Sequence, residues 1–194
     1  MTVQSASAQD PTKRWRLIHA AAAVFSRVGF ERASVEEIAS GADVAKGTVY
    51  LYFDNKADLF HAVISELRQR IEAQSERAKA ESTDALRGLI RTQLEVADAA
   101  PDLFRCYTSA LFGVNRDFQM AALETFDSQK AEVARTLRQT SVFRRRGARA
   151  IERRAALFVS AVLAAALVRG LDGKSGRRQD EEDALMALVM EHGR

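Results

Sequence analysis

Cysteine, proline and long apolar runs are all scarce in this chain of 194 residues. The single Cys106 cannot close an intrachain disulfide, which fits a reducing cytoplasm. Only two prolines interrupt the chain and β-branched runs are rare, which favours an all-α protein. The uncharged stretch 155–168 is shorter than the roughly 20 apolar residues of a membrane span, and residues 1–9 lack the apolar core of a secretory signal. We therefore expect a cytoplasmic protein that makes no membrane contact.

The chain also lacks any pattern of residues that is typical of catalysis or metal binding. Its three histidines, His19, His61 and His192, are far apart and do not have metal-ligand spacing. Cys106 has no neighbouring base in the sequence, and no glycine-rich phosphate-binding loop occurs. The sequence predicts a protein that is not an enzyme and that holds no metal and no cofactor.

A strong basic bias, the usual electrostatic signature of nucleic-acid binding, is absent as well. The whole chain has 29 basic and 26 acidic residues, for a net charge of +3. The first sixty residues carry seven of each sign. Any binding to nucleic acid must therefore come from a motif and from the local arrangement of charge.

One such motif is present between Ser34 and Lys56. Ser34 is a favourable N-cap, and Glu37 follows at capping-box spacing. The sequence Gly-Ala-Asp, ending at Asp43, then predicts a turn, and a second short helical segment begins at Lys46. Two short helices joined by a tight turn form a helix-turn-helix.

The same stretch resembles the helix-turn-helix of the TetR family of transcriptional regulators. The match consists of Ile38-Ala39, the run K-G-T-V-Y-L-Y-F from Lys46 to Phe53, and Lys56. Asp43 stands where the family usually has glycine, and Asp tolerates the left-handed backbone that such a turn needs. The resemblance implies an N-terminal three-helix DNA-binding domain followed by a C-terminal helical domain for ligand binding and dimerisation. It covers residues 12–60 specifically and the remainder only in architecture.

The resemblance also assigns contacts with DNA. A glycine at the start of the second helix allows the backbone to approach the major groove closely. Basic and hydroxyl side chains beside it would face base edges or phosphates, and the tyrosines and following lysine would donate to phosphates. The predicted DNA-binding residues are Ser34, Lys46, Gly47, Thr48, Tyr50, Tyr52 and Lys56. The alternative is a small helical hairpin with surface aromatics.

Three regions follow from this organisation: a disordered arm at 1–9, a DNA-binding domain at 10–55 and a ligand-binding and dimerisation domain at 56–194. A long helix from about Lys56 to Lys79 joins the last two as a rigid lever. Its sequence turns polar after Leu67, which predicts that its far end lies in or near solvent.

Aromatic side chains are concentrated in the C-terminal domain, where five of the ten phenylalanines lie between Phe104 and Phe143. They can form a ligand pocket or plain core, and the family resemblance favours a pocket for a small-molecule inducer of unknown identity. The candidate pocket residues are Phe104, Tyr107, Leu111, Phe118, Phe126, Phe158 and Val162.

The stretch 155–168 is apolar on every side, so we expect one side to pack on its own domain and the other on a second copy. With the last helix, at about 180–192, it would form a four-helix homodimer interface. The candidate interface residues are Phe158, Ala161, Ala165, Val168, Leu185, Leu188 and Val189. Six arginines between Arg144 and Arg154 precede it. They favour a solvated linker and a charged helix start over a second nucleic-acid site.

Together these features predict a dimeric, ligand-responsive transcriptional regulator. A repressor that binds a palindromic DNA operator and is released by a small-molecule inducer fits best. The alternatives are a DNA-binding regulator without a ligand, or a helical protein-interaction module that has lost DNA binding.

Overall fold

The computed structural model describes residues 10–81, 84–141, 143, 145–172 and 178–190, without the side chains of 79–81, 170–172 and 189. The predicted arm at 1–9 lies outside these ranges. The regular secondary structure of the described residues is helical, with no strand among them, which confirms the all-α class. Their helices are α1 (Pro11–Val28), α2 (Val35–Gly41), α3 (Lys46–Val49), α4 (Lys56–Glu81), α5 (Ala85–Ala99), α6 (Pro101–Phe112), α7 (Arg116–Gln139), α8 (Ala148–Asp172) and α9 (Arg178–Met190).

Local capping residues set the limits of α1. The Asp10 carboxylate accepts a hydrogen bond from the backbone N–H of Thr12 at 2.9 Å, and Pro11 occupies the first turn. Gly29, with φ of 79°, ends the helix in a conformation that other residues rarely adopt. Leu17 and Ala21 are fully buried, so α1 forms the centre of the N-terminal unit.

The turn between α2 and α3 has the predicted form. Ser34 Oγ accepts a hydrogen bond from the Glu37 backbone N–H at 3.1 Å, which fixes the start of α2. Asp43 has φ of 54°, so it supplies the left-handed residue without being glycine. The Val44 N–H then bonds to the Ala39 carbonyl at 3.0 Å and closes the turn. The second helix of the motif is short, because regular α-helix ends at Val49 and turns continue the path to Tyr52.

Helix α4 is the long lever, and one face of its polar half is buried, which the sequence did not predict. Leu59, Val63 and Leu67 are fully buried in its first half. In its second half, Ile71 and Ser75 are still only 5% and 2% exposed, because α5 packs along that face. One residue per turn is enough to keep a helix face buried while the other positions are charged.

The C-terminal domain is a bundle in which α5 packs between α4 and α8, and α7 packs on α8. A network of ion pairs fastens α9 to this bundle. Arg169 on α8, whose side chain is 6% exposed, donates to Asp98 on α5 and to Glu181 on α9. Burial alone would raise the pKa of Asp98, but the hydrogen bonds from Arg169 and Arg178 lower it. The charges are therefore paired where the three helices meet.

No helix in the described part of the chain is long and apolar enough to cross a membrane.

Candidate DNA-binding and ligand sites

The end of the helix-turn-helix has one buried face and one open face. Val49 and Phe53 are 2% and 3% exposed and anchor the segment in the hydrophobic core. Tyr50 and Leu51 are 50% and 68% exposed. Gly47 and Leu51 are exposed, so they lie on the side away from the two buried residues. This open surface, formed by residues 46–48, 50 and 51, is called the recognition face below.

The protein's own packing does not require glycine at position 47. A Cβ added there would meet no atom within 4 Å. The residue has no left-handed backbone that would explain glycine either. The interpretation that an external surface needs the space therefore agrees with the geometry and stays a prediction.

Lys46 lies at the recognition face and forms an ion pair with Glu36 on α2. The hydrogen bond between them lowers the pKa of Glu36 and raises that of Lys46. Both groups are largely exposed, so the pair contributes little to stability. Lys46 can therefore exchange this partner for a DNA phosphate or base edge at small cost.

Tyr52 has a structural contact as well as a predicted DNA contact. Its hydroxyl oxygen accepts a hydrogen bond from the backbone N–H of Asp10 at 3.1 Å, which ties the motif to the start of α1. The hydroxyl proton is not used in that bond and can be donated to a phosphate oxygen. The two roles are compatible.

Lys56 requires a correction. The sequence assigned it to a phosphate, but its ammonium group donates to the carbonyls of Phe30, Glu31 and Ala33 at 2.8, 3.2 and 3.0 Å. It also lies 4.5 Å from the ring centroid of Phe30. An ammonium has three donors, and these contacts use all three. Lys56 therefore clamps the loop between α1 and α2 to the first turn of α4.

A joint connects the N-terminal unit to α6 and α7. Ser26 Oγ donates to Asp102 Oδ1 at 2.7 Å, linking α1 to the start of α6. The ring of Phe118 on α7 lies 4.6 Å from that of Phe30 and 4.2 Å from that of Phe60, centroid to centroid. A cavity of about 280 Å³ adjoins these rings. We call these contacts the interdomain joint.

Cys106 lies in the floor of the same cavity. Its thiol donates to the Ala22 carbonyl at 3.6 Å, and burial raises its pKa to about 12. A thiol with that pKa is inert at neutral pH. Within the described residues, no group of acidic, histidine or cysteine side chains could hold a metal ion.

The predicted pocket residues do not surround one cavity. Leu111 and Phe126 line a groove of about 340 Å³ between α6, α7 and α8, which we call the apolar groove. Phe118 instead lines the cavity at the interdomain joint, and Phe158 lines a third depression between α8 and α9. Phe104, Tyr107 and Val162 are 8%, 1% and 0% exposed and belong to the core. For these three residues the interpretation as core fits the structure better.

Tyr107 nevertheless has an unusual feature for a core residue. Its hydroxyl is buried and has no hydrogen-bond partner among the residues that the structure describes. Burial raises the pKa of this phenol, so it stays protonated and can donate. A buried donor without a partner is costly, so this hydroxyl should lower the stability of the fold.

Tyr107→Phe should raise the free energy of unfolding of the ligand-free protein by about 1 kcal/mol, because it removes an unsatisfied polar atom. Urea unfolding would measure the change. Thr108→Val is the matched control, since that hydroxyl already donates to the Arg105 carbonyl at 3.0 Å, and its removal should destabilise the protein. A loss of stability in Tyr107→Phe would show that the hydroxyl is satisfied in solution.

The outer side of α8 forms an apolar surface that the described residues leave uncovered. Leu157 and Val168 on α8 are 58% and 56% exposed, and Leu188 on α9 is 49% exposed. Ala161 and Ala165 are partly exposed on the same side. A groove of about 600 Å³ runs between Leu157 and Leu188. We call this surface the α8–α9 face.

Two residues predicted for the dimer interface are placed differently. Phe158 and Leu185 are 1% and 8% exposed and pack inside their own subunit. The side chain of Val189 lies outside the described set. Leu157 takes the place that was predicted for Phe158, because one helical position rotates a side chain by about 100°.

The described arginines of the basic cluster make ordinary surface contacts. Arg138 on α7 pairs with Glu152 on α8 at 2.7 Å, which places an acidic group within the cluster. Arg154 lies 5.9 Å from the ring centroid of Phe143. Arg144 lies outside the described residues. These contacts fit a charged helix start.

The fold and the recognition face define a helical DNA-binding protein of the helix-turn-helix class. Residues 17–63 match the family described as bacterial regulatory proteins, tetR family. Residues 17–63 therefore carry the DNA-binding domain of the TetR family, and the remainder of the chain shares the fold of solved TetR-like regulators.

A curated relative is the fatty acid metabolism regulator protein of Bacillus subtilis, which is 38% identical over 76 residues. That alignment spans 39% of this chain and 39% of the relative. Among solved structures, a TetR-like transcriptional regulator from Rhodococcus sp. RHA1 has a TM-score of 0.79 at 22% identity, covering 96% of this chain and 98% of that one. FadR from Bacillus subtilis in complex with stearoyl-CoA has a TM-score of 0.74 at 19% identity, covering 91% and 97%. At these identities the two structures establish the fold alone.

Proposed function

We propose that the protein is a homodimeric repressor that binds a palindromic operator and is released by an apolar small molecule. The observation that carries this proposal is the combination of a recognition face at one end with an uncovered apolar α8–α9 face. The first provides a surface for DNA, and the second provides a reason for the motif to be present twice.

A two-fold dimer would place two recognition faces in successive major grooves. The centre-to-centre spacing would be about 34–36 Å, or one helical turn of DNA. Gly47 allows the backbone to approach the groove, and Lys46 and Thr48 reach base edges or nearby phosphates. Ser34, Tyr50 and Tyr52 contact phosphates, which fixes the register without reading sequence. Occupation of a promoter by such a dimer blocks transcription without any further activity.

The apolar groove is the proposed entry site for the inducer. Its lining includes Leu111, Phe112, Phe126 and Leu163, with one hydroxyl from Ser160. Such a surface accepts an aliphatic chain. The names of two similar proteins, a fatty acid metabolism regulator and a regulator solved with stearoyl-CoA, point to the same chemistry. Long-chain acyl-CoA thioesters are therefore the first inducers to test.

The interdomain joint provides a route from the groove to the DNA. The groove is built on α6, α7 and α8, and the joint attaches α6 and α7 to α1 and α4 through Asp102 and Phe118. A ligand that separates α6 from α7 would move the recognition faces apart. The coupling is reciprocal, so DNA must weaken ligand binding by the same factor.

Titration of the full-length protein with DNA tests the proposal. Duplexes selected from a random library by the protein itself would serve as probes, with fluorescence anisotropy as the readout. Palindromic duplexes should be recovered, and stearoyl-CoA should release them. Recovery of no duplex would favour a protein-interaction module, and duplexes without release would favour a regulator that has no ligand of this class.

Variants of the recognition face should separate two kinds of contact. Tyr50→Phe removes a phosphate donor and should weaken binding to all sequences about equally. Thr48→Ala and Lys46→Ala should also change sequence preference, by roughly 1–3 kcal/mol at the affected base pair. Competition between the selected duplex and its single-base variants would measure both effects. Unchanged affinity in all three variants would contradict the assignment of this face.

A further inference from the structure

An exposed leucine lies in the centre of the recognition face. Leu51 is 68% exposed, whereas Val49 and Phe53, two positions away on either side, are buried. The Leu51 backbone N–H bonds to the Thr48 carbonyl at 3.1 Å, so the helical path continues through this residue. Exposure alone is ordinary for a surface leucine. Its position is the informative feature.

Leu51 lies one helical turn after Gly47, on the same side of the segment. Both residues are exposed, whereas Val49 between them is buried, so the two lie on the open side of the segment. The Cβ position of Gly47 meets no atom within 4 Å. The leucine side chain therefore borders an open space on the surface that faces the DNA.

The chemistry of the major groove limits what a leucine can recognise there. Base edges in that groove present hydrogen-bond donors and acceptors, together with one kind of apolar group, the C5-methyl of thymine. Leucine neither donates nor accepts hydrogen bonds, so it cannot distinguish the other bases by direct bonding. An apolar contact with a methyl group is the base-specific interaction open to it.

We propose that Leu51 determines sequence specificity by packing against a thymine methyl group in each half-site, in the space beside Gly47. This inference rests on the proposed DNA-binding function. It adds a larger apolar contact to a face on which Lys46, Thr48 and Tyr50 supply polar groups, one methyl group and an aromatic ring. The protein should consequently require thymine at one fixed position of each half-site.

Replacement of thymine by deoxyuridine tests the contact, because uracil lacks the C5-methyl and pairs in the same way. The probe is the duplex selected from a random library by the full-length protein, with each thymine replaced in turn. For the wild-type protein, one replacement per half-site should raise the Kd about 3- to 5-fold, as expected for the loss of one buried methyl contact. For Leu51→Ala, the same replacement should leave the Kd unchanged.

Two further variants separate Leu51 from its neighbours. Thr48→Ser removes the other methyl on this face and should keep the uracil effect, as should Leu51→Met, which keeps an apolar chain of similar length. Thermal unfolding of Leu51→Ala should match the wild type, because the side chain is exposed.

Equal weakening of the thymine and uracil duplexes by Leu51→Ala would overturn the inference and place the leucine against the sugar-phosphate backbone. A full uracil effect in Leu51→Ala would overturn it too, since another residue would then read the methyl. Either result leaves the proposed DNA-binding function intact. Failure to recover any duplex would contradict both the inference about Leu51 and the proposed DNA-binding function.

Discussion

Leu157→Glu should convert the protein from dimer to monomer. Leu157 is 58% exposed and lies on the α8–α9 face, beside Ala161 and across the groove from Leu188. A two-fold interface repeats every residue, so the substitution buries two carboxylates. An unpaired buried charge costs about 3–5 kcal/mol, which corresponds to a rise of at least roughly 100-fold in the dimer dissociation constant.

Leu157→Glu should also weaken DNA binding, although the substitution does not alter the recognition face. A dimer holds two recognition faces at a fixed spacing. Once one face is bound, the other binds its half-site within the same complex, which raises the overall affinity about 10²–10⁴-fold. The monomer loses this gain although its recognition face is intact. Sedimentation velocity and operator titration, performed at the same protein concentrations, would show both losses together.

Met120→Glu is the matched control for Leu157→Glu. Met120 is a similarly exposed apolar residue, at 56%, but it lies on α7, away from the α8–α9 face. It should remain dimeric and bind the operator normally. Dimerisation of Leu157→Glu at wild-type affinity would contradict the assignment of the interface, and another surface would then have to join the subunits.

The sequence predicted the start of the helix-turn-helix and its turn because these depend on local chemistry, as other helix starts do. Asp10, Ser34 and Asn115 each cap the helix that follows, and the structure shows the corresponding hydrogen bonds. The left-handed backbone of Asp43 was predictable for the same reason, since Asp is among the few residues that tolerate it. The interactions involved join residues two to five positions apart.

The rotation of α8 could not be predicted from sequence. All fourteen residues from 155 to 168 are uncharged, so no polar position marks the outer side. Phe158 and Leu157 are equally apolar, yet the first is 1% exposed and the second 58%. Packing against α5 and α7 decides between them. The predicted interface therefore includes residues, such as Phe158, that the structure buries within their own subunit.

The same limit applies to Leu51 and Tyr107. Leu51 lies in the apolar and aromatic run of the motif. Residue type alone does not show that this leucine is exposed while the nearby Val49 is buried. The hydroxyl of Tyr107 is unsatisfied because no described residue of the neighbouring helices offers it a hydrogen-bond partner. Features of this kind depend on residues distant in the chain, which one sequence does not identify.

Lys56→Met should destabilise the N-terminal unit and weaken DNA binding without changing its salt dependence. Three carbonyls, of Phe30, Glu31 and Ala33, lose a charged donor, and these lie 23 to 26 positions earlier in the chain. Hydrogen bonds to charged groups contribute about 1.5–3 kcal/mol each. Because water can replace part of this, we expect a loss of roughly 2–4 kcal/mol in the free energy of unfolding.

The salt dependence of operator binding distinguishes a clamp from a phosphate contact. Loss of one phosphate contact reduces the slope of log K against log salt by about 0.9, while loss of an internal clamp leaves the slope unchanged. Lys46→Met is the matched control, because its ammonium lies on the recognition face with Glu36 as its partner. That variant should keep its melting temperature and show the smaller slope.

A Lys56→Met protein with normal stability and a reduced slope would restore Lys56 to the DNA surface. A destabilised protein with an unchanged slope would confirm that Lys56 sets the angle at which α4 carries the helix-turn-helix.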